Sequence, residues 1–361
     1  MTEAEVFGLG LGDARRYAGS VAQFARIEAV AETNGPGSGS RRLRMINGGG
    51  LEVDIHPDRA LDLGQATFDG IPIAWLEAKG IVSPHAVKPG GEFMRTFGGG
   101  LLATCGLDTF GAPSVDNDEL FGMHGRIGSQ PATVETAGIT EGSLVVTGRV
   151  RQSRVFGENL LLERKIESCI GSSSVSITDI VTNEGHLPQP HMVLYHANFG
   201  WPLLAPGCEL RVNSSERVGI DPRAAAEPEG WNRFGPPDSS FQERVYRHEF
   251  TANAKSLETE NVEAPHAGEA TLLNRELGLG VTVRFDRSTL PHLFEWKMLG
   301  VGTYVVGLEP ANCETMSGRA DARRMSTLPF LAPGESVTHR LEFAFHRTRA
   351  RGTSGARVLI Q

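Results

Sequence analysis

Three polar side chains of this 361-residue chain stand in glycine-rich or apolar segments, and their types are those of general acids and bases. His124 lies in the glycine-rich stretch FGMHGR, and His196 interrupts an apolar run at 192–200. Glu309 ends another apolar run directly before a proline, and burial raises the pKa of such a carboxyl toward the range of a usable base or acid. Each of the three is therefore a candidate for acid/base chemistry.

Each of these residues also has a purely structural explanation at this stage. His124 could form a hydrogen bond within a turn, and Glu309 could be an exposed residue at the end of a strand. His196 and Asn198 are two residues apart and share one strand face, which lines either a wet cavity or an internal hydrogen-bond network. If the face lines a wet cavity, Asn198 is a candidate substrate contact.

Arg126 is a second candidate for ligand binding. In an extended chain His124 and Arg126 point to the same face, which places a fixed cation with paired N–H donors beside an imidazole. This arrangement suits a ligand rich in hydroxyl groups or one that bears a carboxylate. The nearby glycines at 98–100 lead into neither a helical pattern nor a Lys-Ser/Thr ending, so we reject a phosphate-binding loop.

The alternation at 293–298 predicts a strand with Glu295 and Lys297 on one face and Phe294 and Trp296 on the other. Sugars have apolar ring faces and hydrogen-bonding rims, and they bind to aromatic and charged side chains. Glu295, Trp296 and Lys297 are therefore candidate sugar contacts. A core position for Trp296 explains the pattern equally well.

Asp54, His56, Asp58 and Asp62 together offer the composition of a metal loop. Their spacing matches neither an EF-hand nor a zinc site. We expect a turn in which Asp58 or Asp62 pairs with Arg59.

Frequent turn residues, with 44 glycines and 20 prolines, and short alternating runs predict a mainly β protein. The strongest helix signal covers 13–24, and the lack of long helices between strands favours an antiparallel sandwich. We expect a single domain over 1–361, with an N-terminal extension or hairpin at about 1–48 and a tail at 347–361. The predicted strands are 51–55, 143–150, 160–167, 174–181, 192–199, 280–285, 303–308 and 336–345.

The formal net charge of −8 and the absence of a basic cluster argue against nucleic acid or an anionic membrane surface as partners. We recognise neither a secretory signal nor a membrane-spanning run. The four cysteines are widely spaced, with no CxxC pair, so we expect a cytoplasmic protein with reduced thiols.

Taken together, the motifs at 58–64, 99–107, 124–126, 194–204 and 296–312 resemble those of the galactose mutarotase-like superfamily, in particular a bacterial branch of aldose-1-epimerase-like proteins. The resemblance covers residues 50 to 335 and implies a large antiparallel β-sandwich with few short helices. It also implies a cofactor-free isomerase that interconverts the anomers of a free sugar. By this resemblance His124 helps to hold the ring oxygen, Glu309 removes the anomeric hydroxyl proton, and His196 protonates the ring oxygen.

The sequence departs from the family pattern at two sugar-binding positions. An early Asn-Arg pair has no equivalent, and Arg95 or Arg126 could replace it. The family's aspartate before the final glutamate lacks a match, and Glu243 is the candidate.

Two other functions fit the same residues. An epimerase, isomerase or lyase acting on a keto-sugar could use a divalent metal ion, with His124, His191, His196 and Glu309 as candidate ligands. A carbohydrate-binding protein without activity is the other alternative. Large sheets leave edges that can pair, so a homodimer also stays open.

Overall fold

The computed structural model describes residues 5–84, 93–251 and 267–348. Strands are the main secondary structure of these residues, and the helices are short: α1 Leu11–Tyr17, α2 Phe93–Thr96, α3 Pro222–Ala226 and α4 Arg319–Arg324. The first half of the chain contains β1 Glu5–Val6, β2 Leu9–Gly10, β3 Arg26–Ala31, β4 Arg41–Ile46, β5 Leu51–His56, β6 Asp62–Phe68, β7 Ile71–Pro72, β8 Leu102–Cys105, β9 Ser114–Asp116, β10 Glu119–Phe121, β11 Thr133–Thr140, β12 Ser143–Ser153, β13 Asn159–Cys169 and β14 Ser174–Asn183. The second half contains β15 Gln189–Pro190, β16 Leu194–Gly200, β17 Glu209–Val212, β18 Glu216–Gly219, β19 Arg244–Glu249, β20 Ala267–Asn274, β21 Leu279–Asp286, β22 His292–Gly300, β23 Thr303–Ala311, β24 Phe330–Leu331 and β25 Ser336–Arg347.

Two large antiparallel sheets dominate the described part of the chain. One has the strand order β11-β12-β13-β14-β25-β21-β20-β17, and the other β18-β19-β22-β23-β16-β8-β6-β5-β4-β3 with β7 beside β6. The expected mainly β, antiparallel architecture is therefore confirmed, and the eight predicted strands correspond to β5, β12, β13, β14, β16, β21, β23 and β25.

The N-terminal region differs from the expected helix at 13–24. Helix α1 ends at Tyr17, and a separate 3-10 turn follows at Val21–Gln23, because Ser20 accepts a hydrogen bond from the Ala22 amide and starts a new turn. Within the expected extension, β1 and β2 form a hairpin, while β3 is the edge strand of the larger sheet and β4 lies between β3 and β5. β25 ends at Arg347, and most of the expected tail lies outside the described residues.

β16 divides its side chains between the two faces of the larger sheet. Tyr195, Ala197 and Phe199 are fully buried in the core cluster that also contains side chains of the other sheet. Because successive side chains of a strand alternate, His196 and Asn198 point to the opposite face. The larger sheet therefore packs its core through one face and presents polar groups of β16 on the other.

A buried ion network lies between the two sheets, directly behind this face. The Arg164 guanidinium, which is fully buried, donates to the carboxylates of Asp179 and Asp62 and to the Thr104 hydroxyl. The Tyr195 hydroxyl donates to Asp179 at 2.7 Å. The network thus holds β8 and β16 against the smaller sheet.

The four cysteines are free thiols. No helix in the described part of the chain is long and apolar enough to cross a bilayer.

Candidate active site

His196 of β16 and Glu309 of β23 form the centre of the site. The two strands are antiparallel neighbours, with Ala197 opposite Leu308 and Asn198 opposite Gly307. This register puts His196 and Glu309 on the same face, where His196 Nε2 lies 3.1 Å from Glu309 Oε1. Both side chains are buried, with 6% and 0% of their surfaces exposed. The two predicted residues are therefore in direct contact.

His124 reaches the same pair from the loop after β10. Its backbone is left-handed, with φ of 57°, and Gly125 follows with φ of 74°. A Cβ at Gly125 would lie 2.4 Å from the Gly106 carbonyl oxygen, so glycine is required there. The His124 ring lies 5.8 Å from the His196 ring, which brings the three predicted acid/base residues together.

The left-handed backbone at His124 also overturns one expectation. His124 and Arg126 do not point to the same face, because this segment is not extended. Arg126 instead pairs with Asp108 and Glu119, both at 3.3 Å, and its guanidinium lies over the Phe121 ring. The structure therefore does not place Arg126 beside His196.

Burial controls the protonation of the site. It raises the pKa of Glu309 well above its ordinary value, as expected for a dry site, and it lowers the pKa of His196 to about 3. It also lowers the pKa of His124 to about 4. Desolvation disfavours the charged form of both groups, so burial favours a carboxylic acid at Glu309 and a neutral imidazole at His196 when no ligand is bound.

Several polar atoms of the site lack hydrogen-bond partners among the described residues. They are His196 Nδ1, both carboxyl oxygens of Glu309, and the side-chain oxygen of Asn198. The Asn198 amide group donates to the carbonyls of Gly100 and His196, which fixes the direction of its oxygen. Buried polar atoms are nearly always paired in native proteins, so this concentration is typical of a site that a ligand completes.

Aromatic rings surround the acid/base set. The Trp296 ring lies 5.4 Å from the His196 ring, and the Phe97 ring lies 5.0 Å from it. Trp75 packs against both aromatic rings, and Phe93 of α2 packs 4.6 Å from His124. These rings exclude water and offer apolar faces that match a sugar ring.

Of these aromatic residues, only Trp296 is a sugar contact that the sequence predicts. The sequence alone gives no signal for Trp75. In the structure a Cβ at Gly99 would lie 2.4 Å from the Trp75 carbonyl oxygen, so this glycine admits the Trp75 backbone. At the edge of the site the Trp296 indole donates to Glu243 at 3.2 Å, so this candidate does reach the site.

Glu295 and Lys297 do not face the site, although they were candidate sugar contacts. They lie on the core-facing side of β22, opposite to Trp296. Glu295 contacts His248 at 3.1 Å, and both side chains are fully buried. The Lys297 ammonium group donates to the backbone carbonyls of Gly230, Trp231 and Arg233. Both residues therefore belong to a separate buried cluster.

His191 is also separated from the other candidate metal ligands. It lies before β16, and its buried ring forms hydrogen bonds with the Leu107 carbonyl and with His339. Within the described residues, no group of three or more His, Cys, Asp and Glu side chains could hold a metal ion. Arg95 is exposed on α2, the helix that brings Phe93 to His124.

The turn at 57–59 corrects another expectation. Asp58 pairs with Arg41 and not with Arg59, and Asp62 pairs with Arg164. The Arg59 guanidinium donates to the Val82 carbonyl at 3.2 Å.

A model of the domain of unknown function DUF4432 matches residues 37–345. The chain belongs to this family. Its fold is also found in solved structures. A Klebsiella pneumoniae protein provisionally named an aldose 1-epimerase has a TM-score of 0.79 at 24% identity, over 90% of this chain and 84% of that one. A galactose mutarotase-like protein of Clostridium acetobutylicum has a TM-score of 0.63 at 16% identity, over 90% of this chain and 100% of that one. A galactose 1-epimerase of Lactobacillus acidophilus has a TM-score of 0.58 at 12% identity, over 90% of this chain and 99% of that one.

These likenesses confirm the galactose mutarotase-like fold that the motifs predicted for this DUF4432 protein. No curated protein sequence matches the chain.

Proposed function

We propose that this DUF4432 protein is an isomerase of the aldose 1-epimerase type, which interconverts the anomers of a free sugar by acid/base ring opening. The observation that carries the proposal is the buried contact of 3.1 Å between His196 and Glu309, in which His196 Nδ1 and both carboxyl oxygens of Glu309 have no hydrogen-bond partner among the described residues. A ring opening needs one group that accepts a proton and one that donates a proton, held together at one site.

The proton count of the pair determines how the reaction begins. In this scheme the unliganded pair starts with one transferable proton on Glu309, the form that burial favours. Transfer of that proton to His196 Nε2 gives a carboxylate and an imidazolium, which sugar hydroxyls stabilise by donating to the carboxylate. Glu309 then accepts the proton of the anomeric hydroxyl, while His196 donates its proton to the ring oxygen.

These two transfers break the bond between the anomeric carbon and the ring oxygen and form the C=O bond of an open-chain aldehyde. Rotation about the neighbouring C–C bond and the reverse transfers close the ring with the opposite anomer. His124, beside His196, donates a hydrogen bond that holds the ring oxygen. Trp296 and Trp75 pack against the ring faces, and Asn198 offers its unpaired oxygen to a hydroxyl. Only protons move in this scheme, so we propose that no cofactor is required.

Exchange NMR on a panel of free aldoses tests the proposal. Glu309→Gln and His196→Asn should each slow anomer exchange by about 100-fold or more, because each removes one proton-transfer group. Glu295→Gln is the matched control, since Glu295 is equally buried and makes the same 3.1 Å contact with a histidine outside the site. Unchanged exchange in Glu309→Gln, with an intact fold, contradicts the assigned mechanism.

Two further measurements separate the alternatives. Loss of activity after chelation, together with bound metal in the purified protein, points to metal-assisted keto-sugar chemistry instead. Tight sugar binding without exchange or product indicates a binding protein.

A further inference from the structure

A second polar cluster lies on the larger sheet, beside the His196–Glu309 pair. His56 is the last residue of β5, and Arg59 follows in the turn before β6. Both line a small cleft together with Phe97, Gly98 and Ala103. Ala103 is the cross-strand neighbour of His196, and Phe97 packs on the His196 ring. The cleft is therefore continuous with the proposed active site.

The cleft is narrow in this structure, and Phe97 lies between it and His196, so a ligand that reaches both requires the Phe97 ring to move. From β16 the strand order runs through β8 and β6 to β5, so about 14 Å separates β16 from β5, the strand that carries His56. Ala103 on β8 is a small residue of the cleft wall. A Cβ at Gly64 would lie 2.2 Å from His56 Nε2, so the glycine makes space for the His56 ring.

The charges of the cleft are incompletely paired. The hydrogen bond of the Arg59 guanidinium goes to the Val82 carbonyl, and no carboxylate of the described residues lies within ion-pair distance of Arg59. Asp58 pairs with Arg41, and Asp62, which also lines the cleft and attracts the Arg59 charge from beyond ion-pair distance, pairs with Arg164. Desolvating a cation without a counter-ion costs free energy, which an anionic ligand offsets.

His56 gives a second, independent indication. Its side chain is 93% buried, with 7% of its surface exposed, and it makes no hydrogen bond to any described residue. Burial and the nearby Arg59 lower the pKa of His56 to about 4. An anion in the cleft would accept a hydrogen bond from this ring and raise that pKa again.

The backbone around Arg59 is built at an energetic cost. Ala60 and Leu61 follow it with φ values of 54° and 61°, a left-handed conformation that side chains other than glycine rarely adopt. The Ala60 carbonyl accepts a hydrogen bond from the buried Arg164, and the Ala60 amide donates to the Gln130 carbonyl. Such strained and supported turns concentrate at functional sites.

We propose that Arg59 and His56 form a subsite for an anionic group, a carboxylate or a phosphate, at the end of the sugar away from its anomeric carbon. The substrate class is then an acidic aldose. A guanidinium presents parallel N–H donors that match both kinds of anion. The position of the anomeric carbon rests on the proposed function, whereas the anion subsite rests on the cleft itself. Phe97 fills the space between the two and moves aside when the sugar binds.

Titration calorimetry tests the subsite without relying on activity. The probes are glucuronate, glucose 6-phosphate and glucose, and the acid that binds more tightly identifies the anion. The wild type should bind one acid at least tenfold more tightly than glucose. Arg59→Gln should remove this preference and leave glucose affinity unchanged, while Arg59→Lys should retain part of it. The control is Arg44→Gln, because Arg44 is an exposed arginine of β4 that pairs with Glu52.

Several outcomes overturn the subsite. They are equal affinity of the wild type for all three sugars, no binding of any of them, or equal losses for acid and glucose in Arg59→Gln. Glu309→Gln separates the two proposals, because it should abolish exchange but still bind the acid. Preferential acid binding by a wild type that exchanges no anomers would reject the proposed function and retain the subsite.

Discussion

Gly307 of β23 offers a direct test of the site geometry. A Cβ at this position would lie 2.5 Å from Glu309 Oε1 and 3.3 Å from the His196 ring. Ordinary contact begins at 3.4 Å, so Gly307→Ala requires the carboxyl oxygen to retreat by about 0.9 Å. The φ of Gly307 lies outside the left-handed region, so alanine fits the backbone.

The expected result is a folded protein with a displaced carboxyl group. A misplacement of about 1 Å at a reacting group costs about 100-fold in rate, and we expect anomer exchange to fall by that factor. Gly138→Ala on β11 is the control, because a Cβ there meets nothing within 4 Å. Exchange is measured by NMR, and folding is checked by thermal unfolding.

Full exchange activity in a folded Gly307→Ala variant would refute the reasoning, since the methyl group cannot fit without moving Glu309 or His196. A large loss in Gly138→Ala would show that alanine substitution in these sheets disturbs activity by another route.

Three further predictions concern stability and binding. Arg164→Met should lower the free energy of unfolding by about 3–5 kcal/mol in urea titrations, because it leaves the Asp179 carboxylate buried without its cation; an unchanged midpoint contradicts this. Burial lowers the pKa of His124 to about 4, so the unfolded chain binds more protons than the folded one between pH 6.5 and 4. Stability should therefore fall as pH decreases through this window, by up to about 3 kcal/mol for this group, and His124→Gln should flatten the profile. Trp296→Ala should raise KM about tenfold with little change in kcat, because it removes a face that binds the sugar ring in the ground and transition states alike; a fall confined to kcat would assign Trp296 another role.

Local patterns in the sequence predicted the strands that carry long apolar alternations, such as β12, β13 and β16. Other strands were missed for physical reasons. β4 reads RRLRMI and β19 reads RVYRHE, so charged side chains interrupt their alternation, and β8 has only four residues. Pairing with neighbouring strands stabilises these segments, and that contribution is non-local.

The site shows the same division. The sequence by itself determined the mainly β class and the chemical types of His124, His196 and Glu309, because periodicity and side-chain chemistry are local properties. Only the tertiary structure decided which residues meet. Glu295 and Glu309 both stand on apolar strands, but strand parity sends Glu295 into the core beside His248 and Glu309 to the open face beside His196. Tertiary structure also sets their protonation, because desolvation depends on everything packed around a group and not on its neighbours in sequence.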